Sequence, residues 1–502
     1  MIDLLKQCFL RVCLRIRMMW IRKKYYVPFI ELTKNPKINQ WNLLKNILHQ
    51  NKDTHFGSKH KFTSIHSYED FQNAIPINEY EDLRSYINQQ EQTGEPYLNS
   101  QQPVMYAQTS GTTGEPKNIP ILNASIESYK HSQSLFSYTL YSFDTEVYSG
   151  NILAIVSPDI EGYLSTGTPY GAISGLIYKS MPALLRHSYL LPFEIFTVSD
   201  YDVKYYLICA FALKSENITL IATPNPSTIL RLKDIIDTNF ENLLHDIESG
   251  NLSCMKEIDP KKRKGINCKF KQNQLRASQL RELKKNRGRL SISDIWPNLK
   301  LISTWTSGNC STLLPALRAQ LSSKSFIAEI GYMSSEFRGT VNLDIRNEIQ
   351  VPTLNENFFE FVERDEGGRE SPNFLMLHEI ELGKDYYIFV TTQNGLYRYF
   401  INDIIQVTGK YHNTPTMKFI QKGDGVINLT GEKLYEELLI DPSLAQPTQH
   451  PRIFSSEEPL PESEILQNEI RQLSEAISKR DLNSALESMK RLVPEYNPEN
   501  GQ

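Results

Sequence analysis

The sequence predicts a mixed α/β protein, and three observations carry that expectation. Short apolar runs with strand character, at residues 151–156 and at Ile218–Ala222, alternate with stretches of helical periodicity such as residues 227–236. At 502 residues the chain is long enough for a large core divided into subdomains. Its hydrophobic fraction of 40% and charged fraction of 22% are those of an ordinary globular protein.

The elements follow in chain order. Residues 1–24 mix apolar side chains with Arg11, Arg15, Arg17, Arg22, Lys23 and Lys24. Arginines interrupt the apolar core that a secretory signal would keep whole, and no later stretch reaches about 18 clean apolar residues. The favoured expectation is an amphipathic helix docked on the protein; the alternative is a basic helix resting on an anionic membrane surface. Residues 25–100 read as helices and loops, with turns at Asn35-Pro36 and Ile75-Pro76. A strand is expected at residues 103–107. The basic segment 256–289 contains a single aromatic, Phe270, so it reads as a solvated helical face with Leu275, Leu280 and Leu283 on its apolar side. Prolines at 442, 447, 451, 459 and 461 mark residues 438–463 as a linker, and residues 464–502 have the periodicity of a short helical pair.

Charge and cysteine usage exclude several classes. A formal net charge of −4 gives no global electrostatic case for nucleic acid. The six cysteines, at 8, 13, 209, 254, 268 and 310, form no close metal-ligand pairs and read as reduced thiols of a cytoplasmic protein.

The chemistry is concentrated in Thr109-Ser-Gly-Thr-Thr-Gly-Glu-Pro-Lys117. Small hydroxyl residues and glycines let phosphates approach backbone N–H groups and hydroxyl donors without obstruction. Thr109, Ser110, Gly111, Thr112, Thr113 and Gly114 are therefore nucleotide-binding candidates, and Lys117 adds a charge at the end of the loop. Its lysine stands three residues after the last glycine, so this is not the Gly-x-x-x-x-Gly-Lys-Ser/Thr loop.

This segment resembles the phosphate-loop signature of the adenylate-forming superfamily of acyl-CoA synthetases, luciferases and peptide-synthetase adenylation domains. Within it, the chain resembles the auxin-responsive promoter family, whose plant members are acyl-acid amido synthetases. Residues 71–80 and 295–305 support the likeness, which covers roughly residues 20–437. It implies a large multi-subdomain adenylate-forming domain at 25–437, normally followed by a small C-terminal lid. Here that lid is expected to be missing or replaced by the helical tail. The tail itself, including Arg491-Leu-Val-Pro-Glu-Tyr496, is similar to the C-terminal end of membrane-associated nucleotide-sugar epimerases and is a candidate contact for a protein partner.

Further motifs occur in the family's order. Gly331-Tyr-Met-Ser-Ser-Glu336 resembles the motif that sets an aromatic beside adenine and a carboxylate at Mg²⁺. It implies Tyr332 and Ser335 at the nucleotide and Glu336 as the metal ligand, roles that fit a stacking ring and a hard oxygen donor. Leu396-Tyr-Arg-Tyr-Phe-Ile-Asn-Asp403 resembles the motif whose aspartate holds both ribose hydroxyls. Asp403 takes that role, with Arg398 as its expected ion-pair support, and Asn402 stands where relatives often carry glycine. Residues 422–433 resemble the superfamily hinge, with Lys422 in place of the usual arginine; lysine keeps the charge and loses the bidentate fork. Ser307 and Gly308, in Trp305-Thr-Ser-Gly-Asn309, match the segment facing the acyl pocket and adenine.

The expected reaction is activation of a small-molecule carboxylic acid by ATP and Mg²⁺ to an acyl-adenylate, with Lys117 and Lys422 catalytic. Amide formation with an amino acid or other amine would follow. The alternatives are thioester formation with CoA or a carrier thiol, and a nucleotide-binding scaffold without turnover.

Overall fold

A computed structural model of the chain describes residues 2–109, 116–180, 186, 188–366 and 372–423, with side chains from residue 11 onward, and a few short stretches beyond 440. The chain divides into one compact unit at Met1–Gly431 and a second at Glu432–Gln502.

In the first unit, helix α1 (Ile2–Ile21) runs through a single π-helical turn at Arg22–Tyr26 into α2 (Val27–Leu32). The basic segment is thus a docked helix continuous with the domain. Helix α3 (Pro36–Gln50) begins at the predicted Asn35-Pro36 turn, with proline at a position where its missing N–H costs nothing. Helices α4 (His55–Lys59), α5 (Tyr68–Ala74) and α6 (Tyr80–Thr93) follow. Ser67 and Asp70 form a reciprocal cap that starts α5.

A parallel sheet forms the centre, in the order β3 (Asn151–Ala154), β6 (Ile218–Ala222), β7 (Leu301–Thr304) and β8 (Phe326–Glu329). Both faces are covered, which is why these strands read as continuous apolar runs. Leu153, Ile221, Ile302 and Ile327 pack against helices such as Tyr201–Lys214 and Pro226–Thr238 on one side. Their neighbours Ile152, Leu220, Leu301 and Ala328 face the other side, where α7 (Asn123–Phe143) contributes Leu135, Phe136 and Leu140. Truncating one of these large side chains to alanine would cost about 2–5 kcal/mol.

Two further sheets flank this layer. Strands β1 (Met105–Thr109) and β2 (Lys117–Ile121) form a hairpin, joined through β1 to β5 (Pro169–Gly171) and β4 (Gly162–Tyr163). Strands β9 (Thr340–Asp344) and β10 (Ile349–Pro352) make a separate hairpin. An antiparallel sheet then runs β12 (Leu375–Met376), β11 (Asn357–Glu363), β13 (Asp385–Thr392), β14 (Tyr399–Tyr411) and β15 (Thr414–Lys422). Its apolar face shares one core with α3, α5, α6 and β1.

The basic segment is helical at Pro260–Lys269 and Gln274–Arg287, but its apolar side differs from the expectation. Leu280 is buried, whereas Leu275 is 80% exposed, because five residues turn a helix past its own inner face; Ala277 packs there instead. Beyond residue 431, Ala445–Pro447 pairs antiparallel with Phe454–Ser456 inside the stretch expected as a linker. The expectations of a helical tail in place of a lid, and of a partner contact through it, lie almost wholly outside the described residues.

Candidate active site

The site collects at the carboxyl ends of the parallel strands, where open α/β sheets place their loops for ligands. Two of these loops are tied by one buried carboxylate. Glu329, 4% exposed at the end of β8, accepts from Thr306 N (2.7 Å), Thr306 Oγ1 (2.7 Å) and Ser307 N (3.0 Å) through Oε2. Its Oε1 accepts from Gly331 N at 3.0 Å. Ser307 and Gly308 are thereby fixed against the segment that carries Tyr332. Glu329 was not among the sequence candidates; the available signal was a lone acid closing the apolar run Phe326-Ile-Ala just ahead of a glycine.

Phe419 joins the two loops from β15. A Cβ at Gly308, which has φ +58°, would lie 2.8 Å from Phe419 Cε1, so the phenyl ring needs glycine there. On its other flank Phe419 stacks on Tyr332, with centroids 5.5 Å apart and an interplanar angle of 13°.

Tyr332 differs from its expected disposition. Its ring is 8% exposed, stacked by Phe419 and met edge-on by Phe337 at 5.4 Å, and its hydroxyl donates to Asp403 Oδ2. One face of the ring is thus taken by an aromatic neighbour. Burial, and then the Asp403 charge, push the Tyr332 hydroxyl well above the usual tyrosine range.

Asp403, 3% exposed, pairs in strand register with Lys422. Lys422 Nζ lies 2.5 Å from Oδ1 and donates to Ile401 O at 3.2 Å. That contact compensates the charge of the buried oxygen. Burial raises the Asp403 carboxyl above its ordinary range, with Lys422 and Tyr332 opposing the shift. Asn402, immediately before it, has φ +58° and adopts the left-handed backbone that glycine would supply.

Arg398 is engaged elsewhere, which corrects its expected pairing with Asp403. Its Nε donates to Glu360 Oε2 at 3.1 Å, and Nη1 donates to Gln72 O and Ile75 O at 3.1 and 2.9 Å. Tyr68 Oη donates to the other oxygen of Glu360 at 2.9 Å. Arg398 thus fastens the end of α5 to the antiparallel sheet, and the lysine on the next strand supplies the charge at Asp403.

Residues 333–338 form a tight turn closed by Ser334 N on Phe337 O at 2.9 Å, with Ser335 and Glu336 at its tip. Glu336 is half-buried and lines a cleft of about 30 Å³ with Tyr129, Arg338 and Glu356. The Tyr129 hydroxyl has no hydrogen-bond partner among the described residues, and burial brings the Arg338 guanidinium down to about 10. The Glu336 charge also acts to raise the Asp403 carboxyl. Among the described residues no cluster of three metal-ligating side chains occurs.

The phosphate-loop candidates lie between β1 and β2. Thr109 and Lys117 are register partners across the β1–β2 hairpin, so the segment between them is its connection. Ser110, Gly111, Thr112, Thr113 and Gly114 lie outside the described residues, as does the Thr109 side chain. Lys117 Nζ sits 5.7 Å from the centroid of Tyr80. The Tyr80 hydroxyl accepts from Asn118 N at 2.6 Å, clamping the start of β2.

The GH3 family N-terminal domain matches residues 27–326 and the GH3 family central domain matches residues 350–422. Indole-3-acetic acid-amido synthetase GH3.4 of Arabidopsis thaliana is 27% identical over 81% of this chain and 70% of its own length. The 4-substituted benzoates-glutamate ligase GH3.12 of the same plant is 25% identical over 81% of this chain and 72% of its own. The solved structure of a GH3.15 acyl acid amido synthetase in complex with 2,4-DB shares the fold, with a TM-score of 0.71 and 24% identity over 82% of this chain and 73% of that one. The two matched domains together span most of the sequence in their family order, and the chain belongs to the GH3 family.

Proposed function

We propose that the protein activates a carboxylic acid with ATP, releasing pyrophosphate, and transfers the acyl group to an amino acid or related amine. The observation that carries this reading is the buried carboxylate of Asp403, each oxygen held by one neighbour, Tyr332 or Lys422, with a lone pair to spare. Such an oxygen fits a ribose hydroxyl, and it shares the site with the loop held by Glu329. The activities named for the plant relatives support an amine as acceptor.

In this reading the segment between Thr109 and Lys117 holds the phosphates, with Ser110, Thr112 and Thr113 as donors. Lys117 and Lys422 offset negative charge as the substrate carboxylate attacks the α-phosphorus and pyrophosphate departs. Asp403 fixes the ribose, and Ser307 and Gly308 form the wall beside the base. The amine then attacks the acyl carbon and AMP leaves. Glu336 is the one carboxylate assigned to Mg²⁺, which fits an ion that takes its remaining ligands from phosphates and water. When bound, that ion neutralises phosphate charge.

The test is acid-dependent ATP–pyrophosphate exchange across a panel of carboxylic acids, comparing wild type with Glu336→Ala and Asp403→Ala. Exchange with one acid class, lost in both variants, is expected. Amide product with an amino acid, and none with CoA, identifies the acceptor. Consumption of CoA alone would replace the amide step, and ATP binding without exchange would replace catalysis by a scaffold role.

A further inference from the structure

Helix α1 has two apolar faces, and the fold uses one. On the inner face Met18 and Ile21 are 4% and 3% exposed, and with Leu14 they line a cavity of about 610 Å³ against α7 and the parallel sheet. On the outer face Val12, Ile16 and Met19 are 51%, 62% and 64% exposed, and Trp20, 46% exposed, stands at the edge between that face and the cavity. Their spacing of i, i+4, i+7 and i+8 makes one continuous stripe. Val27, 39% exposed, lies beyond the π-helical turn.

Cations border this stripe. Arg15 and Arg22 are exposed, and Arg17 and Lys24 approach the Trp20 ring at 5.7 and 4.8 Å. No acidic residue occurs between Asp3 and Glu31, although the whole chain has a formal charge of −4. No helix among the described residues is long and apolar enough to cross a membrane.

We propose that α1 is an interfacial anchor that lays the protein on an anionic lipid bilayer, its outer stripe among the acyl chains and its cations on the headgroups. An apolar stripe bordered by Arg and Lys, with Trp near the boundary, is the pattern such a surface selects. Charge argues against a second copy as the occupant, since a two-fold contact through this face would bring the same cations together. The inner face stays on the protein, so anchoring needs no unfolding of α1. Arg11, 3.5 Å from Glu146, helps to hold the helix on the domain.

The experiment uses the full chain with vesicles of phosphatidylcholine alone and of phosphatidylcholine with phosphatidylserine. Wild type should sediment with the anionic vesicles, remain in solution with the neutral ones, and detach as salt rises. Trp20 emission should shift to the blue on binding, and Trp20→Phe should lose that shift. Ile16→Ser/Met19→Ser should weaken binding at least tenfold, and Arg15→Gln/Arg22→Gln by roughly fivefold per cation removed. Thermal unfolding of both variants should match wild type. Wild type that stays in solution with anionic vesicles, or binding indifferent to Ile16→Ser/Met19→Ser, would overturn the proposal. So would a wild-type dimer that the same variant makes monomeric.

Discussion

Asp403 and Lys422 face each other directly across the β14–β15 ladder, so strand register alone brings the site's most buried acid to its nearest cation. A hairpin that returns after Tyr411 fixes the spacing between them, and one residue of slip would turn Lys422 to the opposite face. The pair therefore reports on whether β15 is seated as well as on the nucleotide.

Its pH dependence follows from the direction of the Asp403 shift. Protonated Asp403 loses acceptor capacity, so ATP affinity should hold at high pH and fall as pH drops through its folded pKa. Burial places that pKa above the ordinary range, so the fall begins at a higher pH than for an exposed aspartate. Lys422→Met removes the largest opposing influence and should move the fall higher still. Because the folded pKa is raised, the ionised acid weighs on stability above it. The variant should thus lose stability as pH rises and regain it as pH falls. Nucleotide titrations and thermal melts across pH, on both proteins, measure the two effects.

Glu329 is expected to act as a positioning residue. Glu329→Gln keeps the shape but replaces charge-assisted acceptors with a weaker acceptor and a donor that meets the N–H groups of Thr306 and Ser307. A loss of about 1.5–3 kcal/mol in stability is expected. If Glu329 positions the loop, the Michaelis constant for ATP should rise while the pH profile of exchange stays in place. A shifted profile would mean that Glu329 titrates in the reaction itself.

Much of this architecture was legible because each local signal had a single physical reading. The apolar run Ile218–Ala222 reads as a strand, and Asn35-Pro36 reads as a turn, which the structure uses to start α3. Tyr332, Asp403 and Lys422 were legible as motifs and do meet in space. What spacing could not supply was the partner of a long side chain. Arg398 stands five residues from Asp403 and reads as its support, yet the kink at Arg398, with φ +44°, starts a strand that carries the two apart. Phe419 and Glu329 were not legible for the converse reason, since Glu329 acts between two adjacent strands of the parallel sheet and Phe419 between two sheets, contacts that spacing along the chain does not show.

Asn402 gives a narrower prediction about backbone. Its φ of +58° suits glycine or asparagine, and Gly423 N donates to its carbonyl at 2.8 Å. Asn402→Gly should stay within about 1 kcal/mol of wild type, whereas Asn402→Val should cost about 1–2 kcal/mol from the left-handed backbone alone. Urea melts would separate the two. Equal stability would mean that the irregularity in β14 before Asp403 can relax out of this conformation.

The Arg398–Glu360 pair makes the strongest stability prediction. Both side chains are buried, 4% and 1% exposed, and Glu360 also accepts from Tyr68. Arg398→Met would strand a buried carboxylate and should destabilise the fold by about 3–5 kcal/mol near neutral pH. Burial already raises the Glu360 carboxyl, and Arg398 is the largest influence holding it down. The variant should therefore raise it further, so its deficit grows as pH rises through the new value and shrinks as pH falls. Glu360→Gln on the Arg398→Met background should recover part of the loss, because the stranded charge is gone. Since the pair lies away from Asp403, ATP affinity of the folded variant should fall much less than in Asp403→Ala. Chemical denaturation at several pH values, with nucleotide titration of the folded protein, tests both halves, and an affinity loss matching that of Asp403→Ala would return Arg398 to the nucleotide site.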